Sequence, residues 1–196
     1  MDTASTSERT PGRPREPETD QRIIAAAQRL LAQYGFVRMS MDAVALEAGV
    51  TKPTIYRRYP NKIDLALAAV VAFCDLNPPE YKNQTRADLI SQIKQFKIAM
   101  QRPNGMALLG TMLAEEPENP ELLARFREYL VMPRRAAIQT ILEAAKTRGE
   151  LKEAADLELA GNMLIGAYYA QYLSGKSFAE NWEETLVDTV LSILVI

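Results

Sequence analysis

Residues 40–62, SMDAVALEAGVTKPTIYRRYPNK, decide the fold of this chain. Ser40 can cap the start of one short helix, and Gly49 suits the turn that ends it. Thr51 can cap a second helix with Pro53 in its first turn, where a missing N–H costs no intrahelical hydrogen bond. The spacing therefore predicts two short helices joined by a tight turn. This is the helix-turn-helix arrangement, whose second helix enters the major groove of DNA.

The second helix of this pair and the residues just after it are strongly cationic. No acid separates its positive charges, which are Lys52, Arg57, Arg58 and Lys62. Ile55 and Tyr59 are four residues apart, so both can face the core. That placement leaves Thr54, Arg57 and Arg58 on the outer surface. A local cationic surface is expected to bind DNA phosphates, and an arginine can also read a guanine edge. From the charges alone, a solvated cationic helix is the alternative.

The composition restricts the classes of function. The 196 residues carry a net charge of −2, which excludes a globally basic coat but not a local basic patch. The single cysteine excludes an internal disulfide, and histidine, the commonest general base and zinc ligand, is absent. The sequence has neither an apolar run of about 18 residues nor an apolar signal core at its start. We therefore expect a cytoplasmic protein that is not an enzyme, has no membrane span and needs no cofactor or metal.

Helical periodicity covers most of the chain after residue 19. Residues 1–19 are rich in Pro, Ser, Thr and charged residues and indicate a disordered arm. Residues 20–65 would form the DNA-binding unit, in which Gly35 ends the first helix and Asn61 caps a helix beginning at Lys62. Residues 66–196 would form a larger helical body. The helices predicted there are 86–102, 104–116, 120–131, 133–148, 156–174 and 179–195. No alternating β-branched run indicates a strand, so the chain is predicted to be all-α.

A set of residues around the turn carries a family resemblance. They are Ala48-Gly49-Val50-Thr51, Thr54-Ile55-Tyr56, Tyr59, Lys62 and Leu65, preceded by IIAAAQRLLAQYGF. Through them, residues 19–71 resemble the DNA-binding segment of the tetracycline-repressor (TetR) family of transcriptional regulators. The resemblance implies a three-helix DNA-binding head and a helical body that dimerises and binds a small-molecule effector. It also implies a repressor that leaves a palindromic operator in double-stranded DNA when the effector binds.

The same resemblance assigns roles to individual residues. Those implied to contact DNA phosphates are Ser40, Thr51, Tyr56 and Lys62. Those implied to face the major groove are Lys52, Pro53, Thr54 and Arg57. Two positions depart from the family pattern, since Pro53 stands where glycine or alanine is common and Arg58 where histidine is common. Arg58 is expected to strengthen contact with the DNA backbone.

The N-terminal arm adds a second basic element. Arg13 and Arg15 are separated by one proline and could lie in a minor groove, as flexible arms of other DNA-binding proteins do. The alternative is an ordinary polar tail, because nearby glutamates dilute the charge.

The end of the chain is expected to form a homodimer. Residues 134–176 resemble one C-terminal domain type of the same family, in which the last two helices pair with their copies in a four-helix bundle. Small residues that permit close helix approach are Ala160, Gly161, Gly166 and Ala167. Packing within a single chain is the alternative.

An effector pocket is expected among the middle helices. The candidates are Met100, Met106, Leu109, Met112, Leu113, Phe126, Tyr129, Met132, Tyr168 and Tyr169. Methionine adapts to varied shapes and suits a permissive apolar pocket, although each of these residues could simply fill a core. An effector would act by shifting the population of two head arrangements. The rival functions are a helical enzyme and a helical binding protein whose head no longer binds DNA.

Overall fold

Helices form nearly all of the computed structural model, which describes residues 17–74 and 81–195. The first four helices are α1 (Pro17–Arg38), α2 (Met41–Ala48), α3 (Lys52–Arg58) and α4 (Lys62–Cys74). The later ones are α5 (Thr85–Gln101), α6 (Gly105–Ala114), α7 (Pro120–Phe126), α8 (Met132–Thr147), α9 (Leu157–Leu173) and α10 (Trp182–Leu194). Within the described ranges, β pairing is confined to one isolated bridge between Leu151 and Val195. The all-α prediction is confirmed.

Helix α1 begins earlier than the sequence suggested. Its first residue is Pro17, and Thr19 is buried, so the expectation that the arm reaches residue 19 is wrong. The regular helix breaks at Gly35, whose φ of 75° lies in the left-handed region that glycine tolerates. The chain then turns Phe36 into the core. The predicted helix end at Gly35 is therefore confirmed.

The head and the body share one apolar core. Helix α1 packs on α2, α4 and α6, and Leu31, Val44, Ile55 and Leu65 are all fully buried. The same cluster continues into the body through Leu108 and Met112. The expected boundary after residue 65 falls inside α4, which belongs to both parts. A movement of α4 would therefore displace residues in both the head and the body.

The helices of the body follow the predicted segments closely, with one difference. Residues 120–131 and 133–148 were expected to be separate helices, but α7 and α8 are continuous through a π-helical turn, Arg127–Val131. In that turn the Met132 N–H bonds to the Arg127 carbonyl, five residues back. Pro133 has no N–H to give and its ring crowds the preceding turn, and a wider turn accommodates both effects.

A second apolar cluster closes the far end of the body, where α5, α8, α9 and α10 meet. The ion pair between Lys97 on α5 and Glu183 on α10 lies beside it, with both side chains largely buried and 3.1 Å between Nζ and Oε1. At the surface, Arg86 binds Asp188 across the same two helices at 2.6 Å. None of the helices in residues 17–74 and 81–195 is long and apolar enough to cross a membrane.

Candidate nucleic-acid interface and effector cavity

The turn between α2 and α3 is built as predicted. The Ser40 Oγ accepts a hydrogen bond from the Ala43 N–H at 3.1 Å, so Ser40 is the N-cap of α2. Gly49 has a φ of 65°, and the Val50 N–H returns to the Ala45 carbonyl at 2.9 Å. These bonds satisfy the last carbonyls of α2 and redirect the chain within two residues. Helix α3 is thereby fixed across α2, with Ile55 pointing into the shared core.

The outer face of α3 contains most of the predicted DNA contacts. Its exposed residues are Thr51, Lys52, Pro53, Tyr56 and Arg57, and Thr54 is half-buried. Thr51 occupies the N-cap position, but its hydroxyl pairs with that of Thr54 at 2.9 Å instead of capping an amide. Pro53 lies in the first turn, as expected.

Two of the cations in this region are held by acids from other helices. Lys52 lies 2.6 Å from Asp42 on α2, and both side chains are exposed. The hydrogen bond that Lys52 donates to the Asp42 carboxylate raises the pKa of Lys52 above its ordinary value. Arg58 lies 2.5 Å from Asp20 on α1, with only 9% of its side chain exposed. The expectation that Arg58 shares the outer surface with Arg57 is therefore wrong, because Asp20 holds its guanidinium against α1.

The remaining two cations differ from each other. Lys62 donates to the Val37 carbonyl at 3.0 Å and lies over the Phe36 ring at 4.3 Å. Burial lowers the pKa of Lys62 below its ordinary value. Arg57, in contrast, is exposed and has no hydrogen-bond or ion-pair partner within residues 17–74 and 81–195. Arg57 is thus the cation on α3 whose guanidinium is available. Arg13 and Arg15 lie outside the described residues.

An apolar cavity lies in the body, next to the head. Its volume is about 60 Å³, and its lining comes from α4 through α9. The predicted residues that line it are Met100, Leu109, Phe126 and Tyr169. Those that sequence reasoning missed are Val70, Phe73, Phe96, Gly105, Leu108, Leu130, Val131, Arg134 and Ile165.

Six predicted effector contacts lie elsewhere. Leu113, Tyr129 and Met132 are more than half exposed and do not line this cavity, so their role as effector contacts stays a prediction. The π-helical turn explains the last two, because its extra residue rotates Leu130, Val131 and Arg134 inward instead. Met106, Met112 and Tyr168 pack in the apolar core beside the cavity without lining it. The contacts of these three residues fit the alternative that each of them simply fills the core.

Comparison with known proteins decides the family. The model described as "Bacterial regulatory proteins, tetR family" matches residues 23–69, which include α2, the turn and α3. The model described as "Tetracyclin repressor-like, C-terminal domain" matches residues 80–190, more than half of the chain. The chain belongs to the TetR family. It is a DNA-binding transcriptional regulator, and the resemblance drawn from the sequence is confirmed. Members of the TetR family are transcriptional regulators, not enzymes, and bind DNA and small-molecule effectors as dimers.

Individual TetR-family relatives match nearly the whole chain. An uncharacterized HTH-type transcriptional regulator of Mycobacterium tuberculosis is 30% identical over 184 residues, covering 93% of this chain and 88% of its own. A DNA-binding transcriptional repressor, TetR, of Mycobacteroides abscessus is 29% identical over 183 residues, covering 88% and 92%. The solved structure of the flavonoid-responsive regulator FrrA has a TM-score of 0.71 and 25% identity, covering 91% of this chain and 95% of its own.

Proposed function

We propose that this TetR-family regulator is a homodimeric repressor that binds an inverted-repeat operator and leaves it when a small molecule enters the cavity. The observation that carries the proposal is the exposed face of α3, where Arg57 has no partner in the described chain and lies beside exposed Tyr56. A free guanidinium on a helix that enters a major groove can bind a guanine edge with two hydrogen bonds. The repressor named TetR of Mycobacteroides abscessus, 29% identical, supports repression as the output.

The other predicted contacts complete this interface. Lys52, Pro53 and Thr54 would face the groove, while Ser40, Thr51 and Tyr56 would contact phosphates. Lys62 would add a further phosphate contact by leaving the Val37 carbonyl. Arg13 and Arg15 would reach an adjacent minor groove from the arm.

The exposed face of α9 supports dimerisation through the last two helices. Six of the exposed residues of α9 recur at three- and four-residue spacing along one stripe, and they are Leu159, Asn162, Met163, Gly166, Ala170 and Leu173. No described atom comes within 4 Å of a Cβ built on Gly166, so a second helix has room to approach there. On α10, Ile193 is 55% exposed and extends the apolar surface. An exposed, mainly apolar helix face of this kind is typical of a symmetric interface.

Release of the operator would pass through α4. Val70 and Phe73 line the cavity at one end of α4, and Leu65 is buried in the head core near the other end. Arg125, next to the cavity residue Phe126, binds Asp64 in the first turn of α4 at 2.6 Å. A molecule larger than the cavity must displace its walls, and α4 would transmit that displacement to α3. The effector would thereby favour the head arrangement that binds the operator less tightly.

Selection from random duplexes at low salt tests this proposal. The wild-type protein should enrich an inverted repeat with half-sites about 34–36 Å apart. Met163→Glu should lower the dimer fraction in sedimentation experiments and weaken operator binding together. A matched control is Glu128→Gln, an exposed charge change on the π-helical turn, away from the α9 stripe. Failure of the wild-type protein to enrich any sequence would contradict the proposal.

A further inference from the structure

An exposed arginine, Arg38, is the last residue of α1 and comes just before the helix-turn-helix. It has no hydrogen-bond or ion-pair partner within residues 17–74 and 81–195. The acid closest to it along the chain, Asp42 in the first turn of α2, is paired with Lys52 at 2.6 Å. A guanidinium keeps its charge in proteins, so Arg38 offers a positive charge that the described part of the fold does not use.

The backbone around Arg38 is held in place by its neighbours. Phe36 before it and Met39 after it are buried, with 4% and 1% of their surface exposed. The Met39 N–H also bonds to the Gly35 carbonyl at 3.2 Å, which closes one helical turn over residues 36–38. Arg38 therefore projects from a fixed turn, and a partner that binds it has to order its side chain but not its backbone.

Two of the proposed phosphate contacts lie next to this turn. Ser40, the N-cap of α2, is two residues after Arg38. The Lys62 Nζ lies 3.0 Å from the carbonyl oxygen of Val37, the residue immediately before Arg38. The first helix of a helix-turn-helix crosses the DNA backbone. The start of α2, with Arg38 and Lys62 beside it, would therefore be on the side of the head that meets phosphates.

Arg38 and Lys62 differ in how readily they can reach DNA. Lys62 lies over the Phe36 ring at 4.3 Å. Burial lowers its pKa, and the charge of Glu115 at the end of α6 acts in the opposite direction. Lys62 has to leave these surroundings to bind a phosphate, whereas Arg38 is already exposed. A phosphate would replace the water on its guanidinium with charge-assisted hydrogen bonds.

We propose that Arg38 is a further DNA-phosphate contact of each head, beside those of Ser40 and Lys62. This inference rests on the proposed function for the phosphate contacts of the head and adds a residue to them. Arg38 lies before α2 and not on the exposed face of α3, so it binds the DNA backbone and carries no base preference. Each phosphate neutralised by a cation steepens the dependence of log K on log salt by about 0.9.

Anisotropy titrations of the full-length protein between about 0.05 and 0.2 M salt test the proposal. The probes are the duplex selected by the wild-type protein and a duplex of unrelated sequence. Arg38→Gln should make the slope shallower by about 0.9 for each bound head on both probes. Over this fourfold range of salt, the wild-type affinity should fall about 3.5-fold further for each head than that of the variant. Arg38→Lys keeps the charge and should keep the wild-type slope.

The matched control is Lys94→Gln, which removes the same charge from an exposed position on α5. It should leave both slopes unchanged, and an equal change in this variant would overturn the proposal by making net charge the cause. A wild-type slope in Arg38→Gln, or a loss confined to the selected duplex, would also overturn it. So would an Arg38→Lys slope as shallow as that of Arg38→Gln, because the charge would then not be responsible.

The same titrations separate this inference from the repressor proposal. If the protein enriches no sequence but Arg38→Gln reduces the slope on the unrelated duplex, the phosphate contact stands and the operator proposal fails. If an inverted repeat is enriched and Arg38→Gln keeps the wild-type slope, the phosphate contact fails and the operator proposal is untouched.

Discussion

The Nε atom of Arg58 lies 2.5 Å from the Oδ1 atom of Asp20, which binds the last residue of α3 to the first turn of α1. Arg57, the neighbouring residue, is exposed and without a partner in the described chain. Two adjacent arginines of the same helix therefore have different roles. Arg58 ties α3 to α1, and Arg57 is the exposed arginine that we propose contacts DNA.

Alanine substitution should separate these two roles. Arg57→Ala should leave the free energy of unfolding within about 0.5 kcal/mol and weaken operator binding by roughly 1–3 kcal/mol. Arg58→Ala should lower the free energy of unfolding by roughly 1–3 kcal/mol, because it leaves the Asp20 carboxylate without its partner. Urea unfolding and fluorescence anisotropy with the selected operator measure the two effects. Equal loss of stability in both variants would contradict the assignment.

Asp42 is predicted to reduce the attraction of α3 for DNA. It neutralises Lys52 at 2.6 Å on the exposed face of the head. Asp42→Asn should raise affinity for any duplex and steepen the dependence of log K on log salt by about 0.9, the value for one added phosphate contact. Glu47→Gln is the control, since Glu47 lies on the same helix but binds Arg29 of α1. Anisotropy titrations over a range of salt concentrations measure both slopes, and an unchanged slope in Asp42→Asn would refute this role.

Gly105, at the start of α6, is predicted to tolerate no side chain. A Cβ there would lie 2.5 Å from the Met100 carbonyl oxygen, so the backbone around the cavity must shift. Gly105→Ala should destabilise the protein by roughly 1–3 kcal/mol. Gly110→Ala, on the same helix with nothing within 4 Å of its Cβ, should instead stabilise it by about 0.5–1 kcal/mol. Thermal unfolding compares the pair, and a stabilised Gly105→Ala protein would argue against the close contact.

Glu150 is predicted to make the free energy of unfolding depend on pH. Hydrogen bonds from Arg148 and Thr85 hold the pKa of Glu150 below its ordinary value of 4.5. Because the pKa of Glu150 is lower in the folded protein than in the unfolded chain, the ionised carboxylate stabilises the fold fully above pH 4.5. That stabilisation is lost as the pH falls through the pKa of the folded state. Glu150→Gln should therefore destabilise the protein at about pH 6 and make less difference at about pH 3. The control is Glu153→Gln, whose side chain is 97% exposed. A Glu150→Gln effect that is the same at both pH values would exclude this linkage.

The sequence by itself determined the local elements of this protein. The caps at Ser40 and Asn61 and the breaks at Gly35 and Gly49 depend on backbone groups within a few residues, so their spacing predicts them. The same local signals, with the residues of the turn, were sufficient to identify the TetR family.

Only the tertiary structure decided which charges and side chains are available. Arg58 and Asp20 are 38 residues apart in the chain, and no local spacing in the sequence predicts their ion pair. The cavity likewise joins Val70, Arg134 and Tyr169 from three different helices, and the π-helical turn before Pro133 sets which residues of its segment point inward. Long-range packing places these groups, because the buried face of a helix depends on the helices that it meets. Helix boundaries follow from local bonding, whereas the exposure of Arg57 and the lining of the cavity follow from contacts between distant parts of the chain.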